Sequence, residues 1–177
     1  SSPDGALIDS VTFPQQFEEI SYGRREDGAK TWGFFLDPTK GTKNNTQWVE
    51  GFVSAPSVSV QGGVYSDPFQ IEITPTDPDS RVYYTTDGSS PTRSSALYTT
   101  PLQIEETTIL RTKAFKSGFS ASKTVTNSYI LRKDQVLPIL SLMTDFYHFW
   151  DRNSGFYENA SQHGYAWERP VSVEYIL

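Results

Sequence analysis

The chain has 177 residues, 36% of them hydrophobic and 14% aromatic, with a formal net charge of −6 and no cysteine. That excludes disulfides, thiolate metal sites and cysteine nucleophiles. The absence of a basic stripe argues against nucleic-acid binding, where phosphate neutralisation supplies most of the affinity. No stretch reaches the ~18 apolar residues of a membrane-spanning helix, so no membrane span is expected. The first residues are Ser-Ser-Pro-Asp, without a signal-peptide pattern, which reads as a mature form or a fragment.

Aromatic side chains (10 Tyr, 11 Phe, 4 Trp) supply much of the apolar area. With abundant Thr, Ser, Pro and Gly they favour pleated sheet over helix. The expected class is all-β or mostly β, with at most short helices.

Three segments follow in chain order. In residues 1–57, "ALIDSVTF" alternates in part, with Leu7, Val11 and Phe13 apolar, and ends at Pro14. Asp27-Gly28 signals a tight turn between two possible strands. Trp32, Phe34 and Phe35 form an aromatic run that "DPTKGTKNN" closes with turn residues.

Residues 58–131 are the most regular part. Phe69, Ile71 and Ile73 fall on one face of a period-2 strand, with Gln70, Glu72 and Thr74 on the other. "VYYTT" places Val82 and Tyr84 inward, and Tyr83 and Thr85 outward. "ILRTKAF" sets Leu110, Thr112 and Ala114 against Arg111 and Lys113, and "KTVTNSYIL" offers Val125, Asn127 and Tyr129 on one side. The nearest basic groupings, Arg24-Arg25 and the set Arg111, Lys113 and Lys116, include this strand, whose charges read as a solvated face. Short strands separated by Gly/Pro/Ser turns predict a small β-sandwich.

In residues 132–177, "VLPILSLMT" is a buried-strand candidate. Thr144 or Asp145 can cap a short helical turn that Asn153-Ser154-Gly155 ends. "RPVSVEYIL" alternates cleanly, Val171, Val173 and Tyr175 opposing Ser172, Glu174 and Ile176. A domain rarely ends on such a strand, so truncation, or pairing with further structure, is expected.

The run "VYYTTDGSSPT" continues through Tyr98, Pro101-Leu102, Leu110, Ala114, Gly118, Ser122 and Tyr129. This pattern resembles the chitobiase/β-hexosaminidase C-terminal-type domain. The resemblance implies a fibronectin type III/immunoglobulin-like β-sandwich of accessory, spacer type, flanked here by incomplete β segments. Leu137-Pro138, Ser141-Leu142, Thr144-Asp145, Asp151, Gly155-Phe156-Tyr157 and "WERPVSVEY" are similar to the start of a CotH (spore coat protein H) kinase-like domain. That family's nucleotide-binding strand, catalytic lysine and metal-binding acidic residues lie further along and have no counterpart in these 177 residues. "IDSVTF", "SYGR", "TWGFF" and "PTKGTKN" resemble the latter half of a lamin-tail domain. The three together suggest a bacterial exported or cell-surface protein.

Chemistry is sparse. In "TDGSSPT", Asp87 reads as a turn former with Gly88 and Pro91, rather than as a carboxylate in a sugar site. Glu18-Glu19, Glu105-Glu106 and Asp77/Asp79 lack the facing geometry that glycoside hydrolysis needs and read as solvated surface. Asp77 and Asp79 could offer oxygen ligands to calcium, but Pro78 limits the loop. His148 and His163 lack a zinc-ligand pattern. No catalytic residue, cofactor site or metal site is assigned. Aromatic crowding from Phe146 to Trp167 allows a glycan platform on Trp150, Tyr157 and Trp167, although core packing or a domain seam explains such rings as well.

The expectation is therefore a non-catalytic accessory portion of a larger protein, partnered by the rest of its polypeptide. The alternatives are a module that binds polysaccharide or cell-wall glycan, or the upstream part of an atypical protein kinase.

Overall fold

Strand-forming periods run through the chain, and the computed structural model, which describes residues 5–7, 9–134 and 137–177, is an all-β sandwich. Among the described residues the helices are one five-residue α-helix and one turn of 3-10 helix. Two compact units form, Ser1–Phe52 with Gly118–Ser120, and Val53–Ser117 with Ala121–Leu177. Apart from Gly118–Ser120, the sequence segments 58–131 and 132–177 fall in the second unit.

The first unit carries a three-stranded antiparallel sheet in the order β1 (Ser21–Arg24), β2 (Trp32–Phe35), β3 (Trp48–Val49). Asp27-Gly28 does sit between two paired strands. The connection is longer than a two-residue turn, since Arg24 pairs with Trp32 and Gly28 takes φ 77° inside the loop. Phe34, Phe35 and Val49 are buried, and the Phe34 ring meets Phe17, Tyr22 and Phe52 at 5.0–5.9 Å between centroids. The expected strand over "ALIDSVTF" is absent from its described residues, and Leu7 and Phe13 are exposed. Ile8 lies outside the described residues.

In the second unit, β4 (Ser57–Val58), β5 (Gly63–Tyr65), β6 (Phe69–Ile71), β7 (Ile73–Thr74), β8 (Arg81–Thr85), β9 (Ala96–Leu97), β10 (Leu102–Ile104), β11 (Thr108–Phe115) and β12 (Val125–Leu131) follow one another. The main sheet has the order β5-β12-β11-β8-β9, with only the β5–β12 pair parallel. Opposite it run two short antiparallel pairs, β4–β7 and β6–β10. The period-2 strand expected over residues 69–74 changes partner at Glu72. Its inward row holds throughout, with Ile71 and Ile73 buried and Gln70, Glu72 and Thr74 exposed.

Register explains the core. Leu110, Thr112 and Ala114 share a face with Val82 and Tyr84 across one ladder, and with Val125 and Asn127 across the other. Leu110, Thr112, Ala114 and Tyr129 are completely buried. Each large apolar side chain removed from water here contributes about 1.5–3 kcal/mol. Phe69 lies edge-on to the Tyr129 ring at 5.5 Å, and the Tyr129 hydroxyl donates to Val60 O at 2.7 Å. Burial, together with the nearby Tyr65 and Glu174, pushes that hydroxyl well above the ordinary tyrosine range. Tyr84, expected inward, is only half-buried.

A further antiparallel pair, β13 (Ile139–Met143) and β14 (Ser172–Ile176), covers the other face of the main sheet, the face of Arg111, Thr126 and Ser128. Ser128 N–H and Oγ donate to the two Glu174 carboxylate oxygens at 3.1 and 2.6 Å. Ser128 also bonds Ser141 at 2.7 Å, and Thr126 bonds Ser172 at 3.2 Å. Between the two strands lie α1 (Phe146–Trp150) and the 3-10 turn Tyr165–Trp167.

Two expectations are corrected here. Arg111 does not belong to a solvated face: it is 7% exposed beneath this added layer. The strand read as buried in "VLPILSLMT" is open on one side, where Leu140 and Leu142 are more than half exposed. Val136 lies outside the described residues. Alternation shows that two rows exist, and tertiary contact decides which one faces inward.

Candidate functional site

The Asp87–Pro91 turn is where the sandwich meets the α1 segment. Asp87 Oδ1 accepts hydrogen bonds from Ser89 N–H at 3.0 Å and Ser89 Oγ at 2.6 Å. These bonds hold the Asp87 carboxyl below the usual carboxylate range. Gly88 takes φ 82°, a conformation costly for other residues. A Cβ there would also press on Met143 Sδ at 2.9 Å. Pro91 is fully buried, and Thr85 Oγ1 donates to Ser89 O at 2.6 Å. Asp87, Gly88 and Pro91 thus shape a tightly bonded bend.

That bend is tied down by one ion pair. Arg111 Nη1 donates to Gly88 O and to Asp145 Oδ1, each at 2.8 Å. Ser90 N–H donates to the same Asp145 oxygen at 3.0 Å. Burial acts to raise the Asp145 carboxyl, but the Ser90 and Arg111 bonds and the guanidinium charge outweigh it and hold the group below the usual range. Asp145 occupies the N-cap position of α1 as its sequence suggested, yet its side chain makes no capping bond. Thr144 Oγ1 donates to Pro170 O and bonds His148 Nδ1, both at 2.6 Å. His148 is consequently a buried structural group, while His163 is exposed.

A groove of about 580 Å³ opens between this bend and α1, with Met143, Phe146, Tyr147 and Phe149 among its walls and Asp87, Ser90 and Asp145 at its polar side. Phe146 is 76% exposed and Tyr147 57%. Of the expected glycan residues, Trp150 and Tyr157 come together, their ring centroids 4.5 Å apart, with Phe146 6.4 Å from Trp150. Trp150 and Tyr157 do not line that groove, and neither does Trp167. It lines a second one of about 560 Å³ with Leu142, Phe149, Phe156 and Val171, and the Arg169 guanidinium stands 6.0 Å from its ring.

The acidic candidates separate. Asp77 accepts from Ser54 N–H and, at 3.3 Å, from Ser54 Oγ. Glu105 and Glu106 border a more polar groove of about 790 Å³ with Tyr84 and Gln103. Among the described residues, no three His, Asp or Glu side chains converge as a metal site.

A family model matches the central region. Residues 60–127 match the chitobiase/beta-hexosaminidase C-terminal domain. The matched region runs through β5 to β11 and into the start of β12, so it includes the Asp87–Pro91 bend and Arg111. Over 73 residues the chain is 37% identical to an endoglucanase of Clostridium saccharobutylicum, a stretch covering 41% of this chain and 15% of that protein. The chain therefore spans a small part of that curated relative. No solved structure matches it.

Sequence reading missed the pairing of Arg111 with Asp145, 34 residues apart. The local signal was an arginine sharing a charged strand row with Lys113, a row that reads as solvated.

Proposed function

We propose that this chain is a non-catalytic accessory portion of a larger carbohydrate-active protein, which spaces and orients the structure joined to it. One observation carries the reading. The β13–β14 pair turns its polar row (Ser141, Glu174, Ser172) to the sandwich and its apolar row outward. Leu140 faces Tyr175 across the ladder and Leu142 faces Val173, and all four are more than half exposed. A free-standing sheet would do the reverse, and a contiguous apolar face marks a surface that meets another body.

The finer reading is that this pair opens a CotH-like domain, consistent with the "WERPVSVEY" likeness. A lamin-tail-like unit would precede the sandwich, and the whole would belong to a bacterial exported or cell-surface protein. The chain is expected to give no glycoside hydrolysis with cellulose or chitin oligosaccharides, no phosphoryl transfer, and no heat on titration with ATP and Mg²⁺. Measurable turnover by the purified chain would overturn the non-catalytic assignment.

A second reading, glycan binding, is favoured by the endoglucanase relative and by the exposed Phe146, Trp150 and Tyr157 rings. Retention on insoluble chitin, cellulose or cell wall tests it, and failure to bind all three removes it.

A further inference from the structure

Resting on the glycan-binding reading, we propose that the groove between the Asp87–Thr92 bend and α1 is the sugar site, taking a neutral pyranose unit of a polysaccharide. Its volume of about 580 Å³ falls within the range of small-molecule sites, which are mostly apolar with a few placed polar groups. A pyranose has the matching two-sided chemistry: a C–H face that packs on aromatic rings, and equatorial hydroxyls that donate hydrogen bonds. Phe146 and Tyr147 supply exposed rings. Asp87 and Asp145 border the groove, and each carboxylate is held by hydrogen bonds from the protein through Oδ1. The two carboxylates are therefore hydrogen-bond acceptors on a wall that the Arg111 bonds hold in place. A preorganised wall lowers the ordering cost of binding.

Charge narrows the ligand. Two ionised carboxylates on a chain of net charge −6 disfavour phosphate, sulfate and uronate groups, and leave neutral hydroxyl donors. The aromatic surface continues from Phe146 to Trp150 and Tyr157, which provides a track for a second sugar unit of the same chain. Trp167, bordering the other groove, takes no part.

The experiment compares the intact chain with Phe146→Ala, Tyr147→Ala and Trp167→Ala. Each is tested by retention on insoluble cellulose and chitin, by calorimetric titration with soluble cello- and chito-oligosaccharides, and by analytical ultracentrifugation. Phe146 and Tyr147 are exposed, so unchanged circular dichroism is expected for both variants. The proposal predicts binding by the intact chain, a loss of about tenfold or more in the Phe146 and Tyr147 variants, and no change in Trp167→Ala. Binding that survives both ring deletions overturns this site and leaves glycan binding standing. No binding by the intact chain overturns both. A dimer that dissociates in Phe146→Ala, without sugar binding, makes the groove a protein contact and overturns the proposal.

Discussion

Two sheets of the second unit use opposite chemistry on their covered faces. The main sheet buries Leu110, Ala114, Val82 and Tyr129 against the short strand pairs, in ordinary sandwich fashion. The β13–β14 pair is attached to the other face of that sheet by Ser128, Glu174, Ser141 and the Arg111–Asp145 pair, and leaves its apolar row open. Apolar burial is non-directional and scales with area, whereas hydrogen-bonded contacts fix register and orientation. The comparison assigns stability to the first interface and positioning to the second.

The sharpest way to break the contrast is in the apolar interface. Leu110→Ala removes a completely buried side chain and should cost about 2–5 kcal/mol, read from the urea midpoint of unfolding. Tyr84→Ala, at a half-buried ring bordering an open groove, should cost less. Equal losses at the two positions would contradict the core described here.

Next comes the polar attachment. Arg111→Met leaves Asp145 and Gly88 O without their charged donor and should cost about 1.5–3 kcal/mol. The side chain of Asp145 is 21% exposed, so water recovers part of its bonding. A double-mutant cycle with Asp145→Asn should show that most of the effect is shared. Independent, additive losses would mean that the two groups do not act as a pair.

Gly88→Ala tests the bend itself. Its positive φ alone costs about 1–2 kcal/mol for a residue with a Cβ, and Met143 must also shift. Loss of main-chain order at residues 86–91 by amide NMR, with the Leu110 environment unchanged, would place the effect at the attachment. A variant as stable as the native chain would show that the bend is not held as described.

A smaller effect separates the interfaces by pH. The Asp145 carboxyl is held below its ordinary value, so its stabilising contribution is complete above the unfolded value of about 3.9. That contribution falls as pH drops below this point and is gone below the lowered native value. Acid should therefore increase amide exchange in residues 139–149 before it affects β11 and β12. Simultaneous loss everywhere would remove the distinction.

Much of the sandwich core was legible because local period and tertiary contact agree there. Ile71, Ile73, Val82, Leu110 and Ala114 alternate and are buried as their spacing predicts. The Asp87-Gly88 bend was legible because its bonding is local, within two residues. Arg111 was not, because its partner comes from another segment, and a charge in a strand reads as solvated until something covers it. The orientation of β14 was equally hidden. Val171, Val173 and Tyr175 form a regular row, but only Ser128 and Thr126, more than forty residues earlier, draw the opposite row inward. "ALIDSVTF" shows the converse: an alternating pattern without a ladder partner is no strand over its described residues. The glycan candidates divided for the same reason, since ring type is visible in sequence and the contact between Trp150 and Tyr157, away from Trp167, is not.

The absence of cysteine makes the central claim directly measurable through single-cysteine variants at adjacent positions of β14, Tyr175→Cys and Ile176→Cys, reacted with a soluble maleimide. Position 175 is 66% exposed and position 176 is 6% exposed. The outward-facing apolar row predicts rapid labelling at 175 and strong protection at 176. Equal rates, or protection at 175 with rapid labelling at 176, would contradict it.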